Sequence, residues 1–325
     1  AYTSENSNQW FILFDLDFNN PSAQKKLYAN SNINGTWTEL TSLNLFNSFN
    51  AFFSAGTNII LGTSGEGILR STNTGSTWEA GDNGILDSNI SSIEYVPGYR
   101  SLVAAYGTNR ILFSENDNSI PPYLTWDKKI TAGSMTSLVR MSDNRVLAIG
   151  SQTFESTTGS FFTLRGNSPG SVTLRGAHRF SDTKIYALSS ASNNLIYQTI
   201  NGGTSWGTLS ITGLPANKEI KNISTTSDGD LYIGLVDNSN TTFKIYRVPN
   251  GSTAATQITN SGFTELYSIL AAGSKIYVHG FQSGYKIAVS ANDGTSWSLR
   301  DVPVSADILV ASEDLLFGEN GGDVY

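Results

Sequence analysis

The feature that most restricts how this chain can fold is a short β-forming segment that returns about every 43 residues, a spacing within the range of repeat architectures. It consists of a charged or polar residue, two or three β-formers, a small residue and then often Gly. It reads NIILGT from Asn58, RSLVAAYG from Arg100, NRVLAIG from Asn144, TKIYALS from Thr183, GDLYIGL from Gly229, SKIYVHG from Ser274 and EDLLFG from Glu313. A repeat of this length made of short strands cannot bury its own apolar face, and copies of it must stack.

Each segment is preceded by a shorter apolar one: NAFFSA from Asn50, ISSIEYV from Ile90, SLVRMS from Ser137, HRFS from His178, IKNISTT from Ile220, LYSILAA from Leu266 and DILVAS from Asp307. Gly, Asn or Asp turns join the two, which is the hairpin signal. Third strands are expected at ILRST from Ile68, ILFSE from Ile111, FFTLRG from Phe161, LIYQT from Leu195, FKIYRV from Phe243 and IAVSA from Ile287, with KLYANS from Lys26. Fourth strands are expected at or near Trp37, Trp78, Trp126, Val172, Trp206, Ala255 and Trp297. The expected fold is all-β, a single domain over residues 1–325: a seven-bladed β-propeller of four-stranded blades. Strands from both termini would close the ring, DILVAS and EDLLFG joining KLYANS and TWTEL. The strand-like WFILFDLD from Trp10 competes for that slot, and leaves a five-stranded closing blade or an eighth blade as the two alternatives.

Composition agrees with this reading. Only 14% of the 325 residues are charged, against roughly a quarter in an average domain. Ser, Thr, Gly and Asn take their place and favour turns over helices. With no Cys at all, disulfide frameworks, thiol catalysis and Cys-ligated metals are excluded. A net charge of −7 without a Lys/Arg run argues against nucleic acid, and no apolar stretch is long enough to span a membrane. The opening AYTSENSNQW is neither basic nor apolar enough for a signal peptide, so any such signal has been removed or never existed. The Cys-free, Ser/Thr/Asn-rich composition suggests an extracellular, cell-surface or periplasmic monomer.

The most specific motif joins third to fourth strands. Ser71 to Trp78 reads STNTGSTW, Thr199 to Trp206 reads TINGGTSW and Ser290 to Trp297 reads SANDGTSW. The pattern describes a self-bracing turn. Asn73, Asn201 and Asn292 can accept from backbone amides, and Gly75, Gly203 and Gly294 can take positive φ. The second hydroxyl locks the turn, while Trp78, Trp206 and Trp297 are expected to lie buried across the sheet. Degenerate copies end at Trp37 and Trp126. The motif resembles the Asp-box, or bacterial neuraminidase repeat, and the string ILGTSGEGILRSTNTGSTW from Ile60 is similar to repeats of photosystem II assembly factors, Vps10/sortilin proteins and xyloglucanase-type hydrolases. The resemblance implies a scaffold whose turns, including Ser71 and Ser290, are structural and face away from the binding centre. Asn stands where that family has Asp, which weakens any cation site, and no structural metal is expected.

Function would then fall to the loops joining second to third and fourth to first strands. These carry Glu66, Glu155, Asp237 and Glu319 as the carboxylates a glycoside hydrolase would need as a pair, and Arg110, Phe154, Asn238, Phe281 and Tyr285 as binding candidates. Arg175 and Lys218 belong to the fourth-to-first loops. A sialidase's early Arg-Ile-Pro is absent, and Arg247-Val248-Pro249 sits too late in the chain to replace it. His178 and His279 show no ligand spacing and read as core or channel-lining, and neither a phosphate loop nor a cofactor is indicated. The leading expectation is a non-catalytic propeller that binds a glycan or a partner protein; the alternative is a glycoside hydrolase of the sialidase or xyloglucanase type.

Overall fold

The computed structural model describes the backbone throughout residues 133–190, 194–239, 242–258 and 265–301 with most of their side chains, and elsewhere chiefly the strands between 10 and 130 and between 307 and 324. Among these residues the chain forms eight antiparallel sheets, each taken in sequence order. Sheet A has three strands, Trp10–Phe14, Lys25–Asn30 and Thr38–Leu43. Sheets B to G have four each and open with first strands Phe49–Ala55, Ile90–Val96, Met135–Arg140, Leu174–Arg179, Lys218–Thr225 and Glu265–Ala272. Sheet H has three, Asp307–Ser312, Leu315–Asn320 and Asp323–Val324. The Trp10–Phe14 segment pairs with Lys25–Asn30 and lies beside the last strand of sheet H. The first strands contact one another in succession from sheet B to sheet H.

In sheets D, E and F both faces are covered by neighbouring sheets, which explains why their second strands are continuous apolar runs and not alternating ones. In the second strand of sheet D, Val146 and Ala148 pack with Val103, Ile111 and Phe113 of sheet C. Leu147 and Ile149 turn the other way, against Leu174, Ile185, Ala187 and Trp206 of sheet E. The pattern repeats between sheets E and F and between F and G. The core is therefore a series of layers between sheets, and burying each Leu, Ile or Val in it contributes about 1.5–3 kcal/mol.

One irregularity recurs in the first strands of sheets B to H. Pairing with the second strand skips Asn50, Ser91, Thr136, Gly176 with Ala177, Lys221, Tyr267 and Leu309, one bulge per sheet from B to H. A bulge adds twist and re-aims the side chains beside it. The next residue then reaches the first strand of the following sheet. Leu138 N–H donates to Ser92 Oγ and Ala177 N–H to Ser137 Oγ, both at 3.3 Å, and Asn222 Nδ2 donates to Ile269 O at 2.9 Å. His178 does the same with its ring, which lies 3.3 Å from both Ser224 Oγ and Thr225 Oγ1.

One strand differs from expectation. Sheet D's third strand is Gln152–Ser156, separated from the second by Ser151 alone, and FFTLRG supplies its fourth strand, Thr163–Asn167. The polar QTFES does not look like a strand, yet Thr153 and Phe154 are buried. Val172 falls after this sheet and not at a fourth strand.

The three Asn turns have one geometry. The first hydroxyl accepts from the Gly N–H (Ser71 from Gly75, 2.8 Å; Thr199 from Gly203, 2.9 Å; Ser290 from Gly294, 2.9 Å) and donates to the Asn Oδ1. That Oδ1 also accepts from the backbone of Thr77, Ser205 or Ser296. The Asn Nδ2 donates back to the same residue's hydroxyl, at 2.8–2.9 Å. The glycines have φ of 84°, 89° and 82°. The tryptophans are less uniform than expected. Trp206 is 8% exposed and its Nε1 donates to Thr153 of sheet D at 2.9 Å, whereas Trp78 and Trp297 are half-buried and Trp78 bonds its own turn at Gly75 O.

Two stability predictions follow from this packing. Gly234, opposite the bulge of sheet F, has no room for a side chain: a Cβ would overlap Asn222 Oδ1 and sit 2.9 Å from Ile269 and Phe243. Gly234→Ala should destabilise by about 1–3 kcal/mol in urea melts, while Gly207→Ala, where nothing lies within 4 Å, should change stability by under about 0.5 kcal/mol. Trp206→Ala should cost about 3–5 kcal/mol and Trp78→Ala clearly less, and equal losses would contradict the difference in burial.

Candidate recognition site

Because every sheet is a meander, its connections fall at two ends. The turn end holds the first-to-second turns and the Asn turns. The loop end holds the second-to-third and fourth-to-first connections.

The turn end is occupied by ion pairs and hydrogen bonds, some within one sheet and some joining it to the next. Arg145 and Arg165 both bond Glu155 Oε2, the latter at 2.5 Å, and Arg165 also donates to Gly202 O in the Asn turn of sheet E. Asp182 accepts from Ser142 N–H (2.9 Å), from Ser142 Oγ and from Arg179 (2.8 Å). Burial pushes its carboxyl up, but these bonds outweigh burial and hold it below the usual range. Arg247 bonds the buried Asp230 and, at 2.9 Å, Asp293 in the Asn turn of sheet G, to which Tyr232 OH also donates at 3.1 Å. Burial first, and Asp293 second, push the Tyr232 hydroxyl up. Arg247 thus serves as a clasp between sheets. Arg70 is fully buried on the third strand of sheet B, 3.5 Å from Glu79, and burial pushes its guanidinium below its ordinary value. The bonds between sheets, Arg165 with Gly202, Ser142 with Asp182 and Arg247 with Asp293, join residues far apart in the chain, and no local pattern marks them.

Several expected loop residues lie elsewhere. Glu155 is on the third strand of sheet D at the turn end, and Phe154 beside it is 7% exposed in the core, so neither is a loop residue. The one-residue connection at Ser151 leaves no loop there for them to occupy. Asp237 ends the second strand of sheet F at the loop end, bonded by Lys244 Nζ (2.6 Å) and Ser239 N–H (3.0 Å). Those two bonds, Lys244 first, hold its carboxyl below the usual range. Glu66 and the side chain of Glu319 lie outside the described residues. The structure does bring Arg110, Asn238 and Phe281 to the loop end. Arg110 opens the third strand of sheet C, Asn238 is exposed beside Asp237, and Phe281 closes the second strand of sheet G opposite Tyr285. Arg175 and Lys218 belong to first strands near that end. Among the described residues no group of three or more His, Asp or Glu could hold a metal.

No known family model matches the chain, and no curated protein matches it by sequence. Solved structures do. YCF48 from Cyanidioschyzon merolae superposes with a TM-score of 0.63 at 11% identity over 89% of this chain and 98% of its own. An ancestral GH74 enzyme gives 0.59 at 16% over 78% of this chain and 38% of its own, and the WD40 β-propeller domain of Doa1 gives 0.58 at 13% over 86% and 91%. The chain spans less than half the length of the GH74 structures it matches. At such identities the likeness defines a fold and nothing finer: the chain is a β-propeller. Its first strands are the inner strands of that fold.

His178, partly exposed on one of them, provides a pH prediction. Burial holds its imidazole at about 4, against an ordinary value of 6.5. Between these values the unfolded chain binds a proton that the folded chain does not. Stability is therefore full above about pH 6.5 and falls toward pH 4, by on the order of 1–3 kcal/mol. His178→Asn should flatten this portion of a stability profile measured by urea melts at stepped pH.

Proposed function

We propose that this chain is a non-catalytic binding or scaffolding propeller, exported to the extracellular space, the cell surface or the periplasm, which recognises a glycan or a partner protein through its loop end. Its ring has seven blades with Asp-box-type turns, and sheets A and H together complete the seventh. The observation that carries this reading is the disposition of the candidate carboxylates. Glu155 and Asp237 lie at opposite ends of their sheets, each bonded to a cation. A retaining or inverting pair must flank one glycosidic bond within about 10 Å, and its acid must hold a proton. At opposite ends of sheets D and F, Glu155 and Asp237 do not flank one bond, and the bond from Lys244 favours the charged form of Asp237. The loop end, by contrast, presents Asn238 and Phe281 with Arg110, the kind of mixed polar and aromatic groups that bind without turnover. A YCF48 structure with a bound D1 peptide, at 17% identity and a TM-score of 0.51, is a precedent for a peptide or protein partner on this fold.

The alternative, a glycoside hydrolase, draws on the likeness to GH74 enzymes and would have to rest on Glu66 and Glu319. Screening against polysaccharides and aryl glycosides separates the two. The expected outcome is binding without product, and turnover that disappears on Glu66→Gln or Glu319→Gln would overturn the proposal.

A further inference from the structure

Among the described residues eight buried side-chain atoms have no hydrogen-bond partner: Arg70 Nε, Nη1 and Nη2, Ser114 Oγ, Trp126 Nε1, Gln152 Oε1, Asn222 Oδ1 and Trp297 Nε1. Five of the eight belong to one place, the turn end between sheets B and C, and the register of the repeat brings them together. Arg70 lies opposite Ile60 in sheet B, as Glu155 lies opposite Leu147 in sheet D and Arg247 opposite Tyr232 in sheet F. Counted from the bulge, Ile60, Leu147 and Tyr232 hold the same position, and Leu147 and Tyr232 pack on the following sheet. Arg247 accordingly reaches Asp293 in the third-to-fourth turn of the next sheet, and Arg70 is directed at the same connection of sheet C. Ser114 opens that connection. It sits on the face away from Val103 and Phe113, which pack on sheet D, and so faces sheet B. Trp126 ends the connection in the place of Trp206, whose Nε1 bonds Thr153 on the preceding sheet. Ile68 stands in sheet B where Thr153 stands in sheet D, so the Trp126 N–H finds no acceptor there. Ile68 and Arg70 share one face of one strand, which sets the indole beside the guanidinium.

We infer that Arg70, Ser114 and Trp126 form a buried binding site for a small tetrahedral oxyanion of the phosphate or sulfate kind, which locks sheet B to sheet C. A buried charge without a partner is among the most destabilising features a fold can carry. Glu79 does not supply that partner, since it is half exposed and only approaches Nη1 at 3.5 Å. Guanidinium and indole can only donate, and the hydroxyl can donate by rotating, so the ligand must be rich in acceptors. Two oxygens of an oxyanion match the guanidinium fork, and further oxygens remain for Ser114 and Trp126 on the opposite sheet. A carboxylate has no third oxygen with which to span both sides. At other interfaces an ion pair holds this position, Glu155 with Arg165 and Arg247 with Asp293. The site lies at the turn end and is independent of any recognition through the loop end.

The test is thermal unfolding of the intact protein, dialysed into chloride buffer, against increasing phosphate, sulfate or acetate at constant ionic strength. Phosphate or sulfate should raise the melting temperature saturably, by about 4 °C at a hundredfold excess over the dissociation constant, and acetate should not. Both anions also stabilise proteins without saturation by exclusion from the surface, and the same titration of Arg70→Met subtracts that effect. Arg70→Met fills the space without a charge. It should lose the saturable response and melt in chloride no lower than the parent, because an unpaired buried charge has been removed. Ser114→Ala should weaken the anion's affinity about tenfold, the loss of one hydrogen bond to a charged group. Ion chromatography of desalted, denatured protein counts any anion that dialysis leaves in place, which must likewise be missing from Arg70→Met. A parent with neither a saturable response nor a retained anion would overturn the site, as would an equal response in folded Arg70→Met or in acetate. So would a loss of several degrees in chloride shared by Arg70→Met and Asp117→Asn. Asp117 stands in SEND where Asp293 stands in SAND, and that result would make a carboxylate of this chain the partner of the guanidinium.

Discussion

Everything in this molecule depends on how the innermost strand of each sheet deals with its uncovered edge. A first strand has a partner on one side only, and its outward N–H and C=O groups would otherwise face a narrow axial space. The bulge solves part of this by twisting the strand, and the polar residue after it solves the rest by bonding the backbone of the next first strand. Ser92 and Ser137 do this with an accepting hydroxyl and Asn222 with a donating amide, while His178 sets its imidazole between two hydroxyls of the next first strand. Neighbouring sheets are thus fixed at the same height, which sets the apolar layers between them in register. Without that fixed height, Leu147 and Ile149 could not meet Ile185 and Ala187.

At the outer side of sheets B, E and G the Asn turn plays the corresponding part. The turn glycine is needed twice, for its positive φ and because the preceding sheet comes so close: a Cβ on Gly203 would lie 2.8 Å from Thr153 of sheet D. The use of Asn has a clear consequence in the hydrogen bonds. With Asp, the hydroxyls of Thr77, Ser205 and Ser296 would have to donate; with Asn, they accept from Nδ2. A hydroxyl can do either by rotating, so the turn keeps its shape while the chain gives up three negative charges.

The repeat, the strand order within most sheets and the three turns were all legible in the sequence, because each is written in local spacing. The bulges were visible without being understood. The small residue or Gly that ends the apolar run of the second strand lies directly opposite them: Gly62 faces Ala51, Ala105 faces Ser92, Gly234 faces Asn222 and Gly280 faces Leu266. A glycine inside a strand pattern signals close backbone approach, and the glycines at five of the seven positions, Gly62, Gly150, Gly234, Gly280 and Gly318, could have predicted the bulge. Sheet D was misread where local spacing fails, since a one-residue connection at Ser151 left no turn signature and QTFES is polar. The bonds between sheets had no local signature. Arg247 and Asp293, or Ser142 and Asp182, are brought together only by stacking one sheet on the next.

Those clasps also decide which end of the molecule is available to a partner. A chain with so few charged residues has assigned most of its described arginines to the turn end, where each but Arg70 is saturated by a carboxylate on its own or an adjoining sheet. Recognition there would have to compete with an intramolecular ion that is already in place and loses no translational entropy. At the loop end the pairs are local, such as Asp237 with Lys244 and Glu219 with Lys221, and each joins residues of one sheet, so a ligand could displace either without separating blades. Stacking the sheets thus consumes the charges of one end and leaves those of the other end free to act, which is why the same repeat that hides most polar residues in the scaffold also points to where binding can occur.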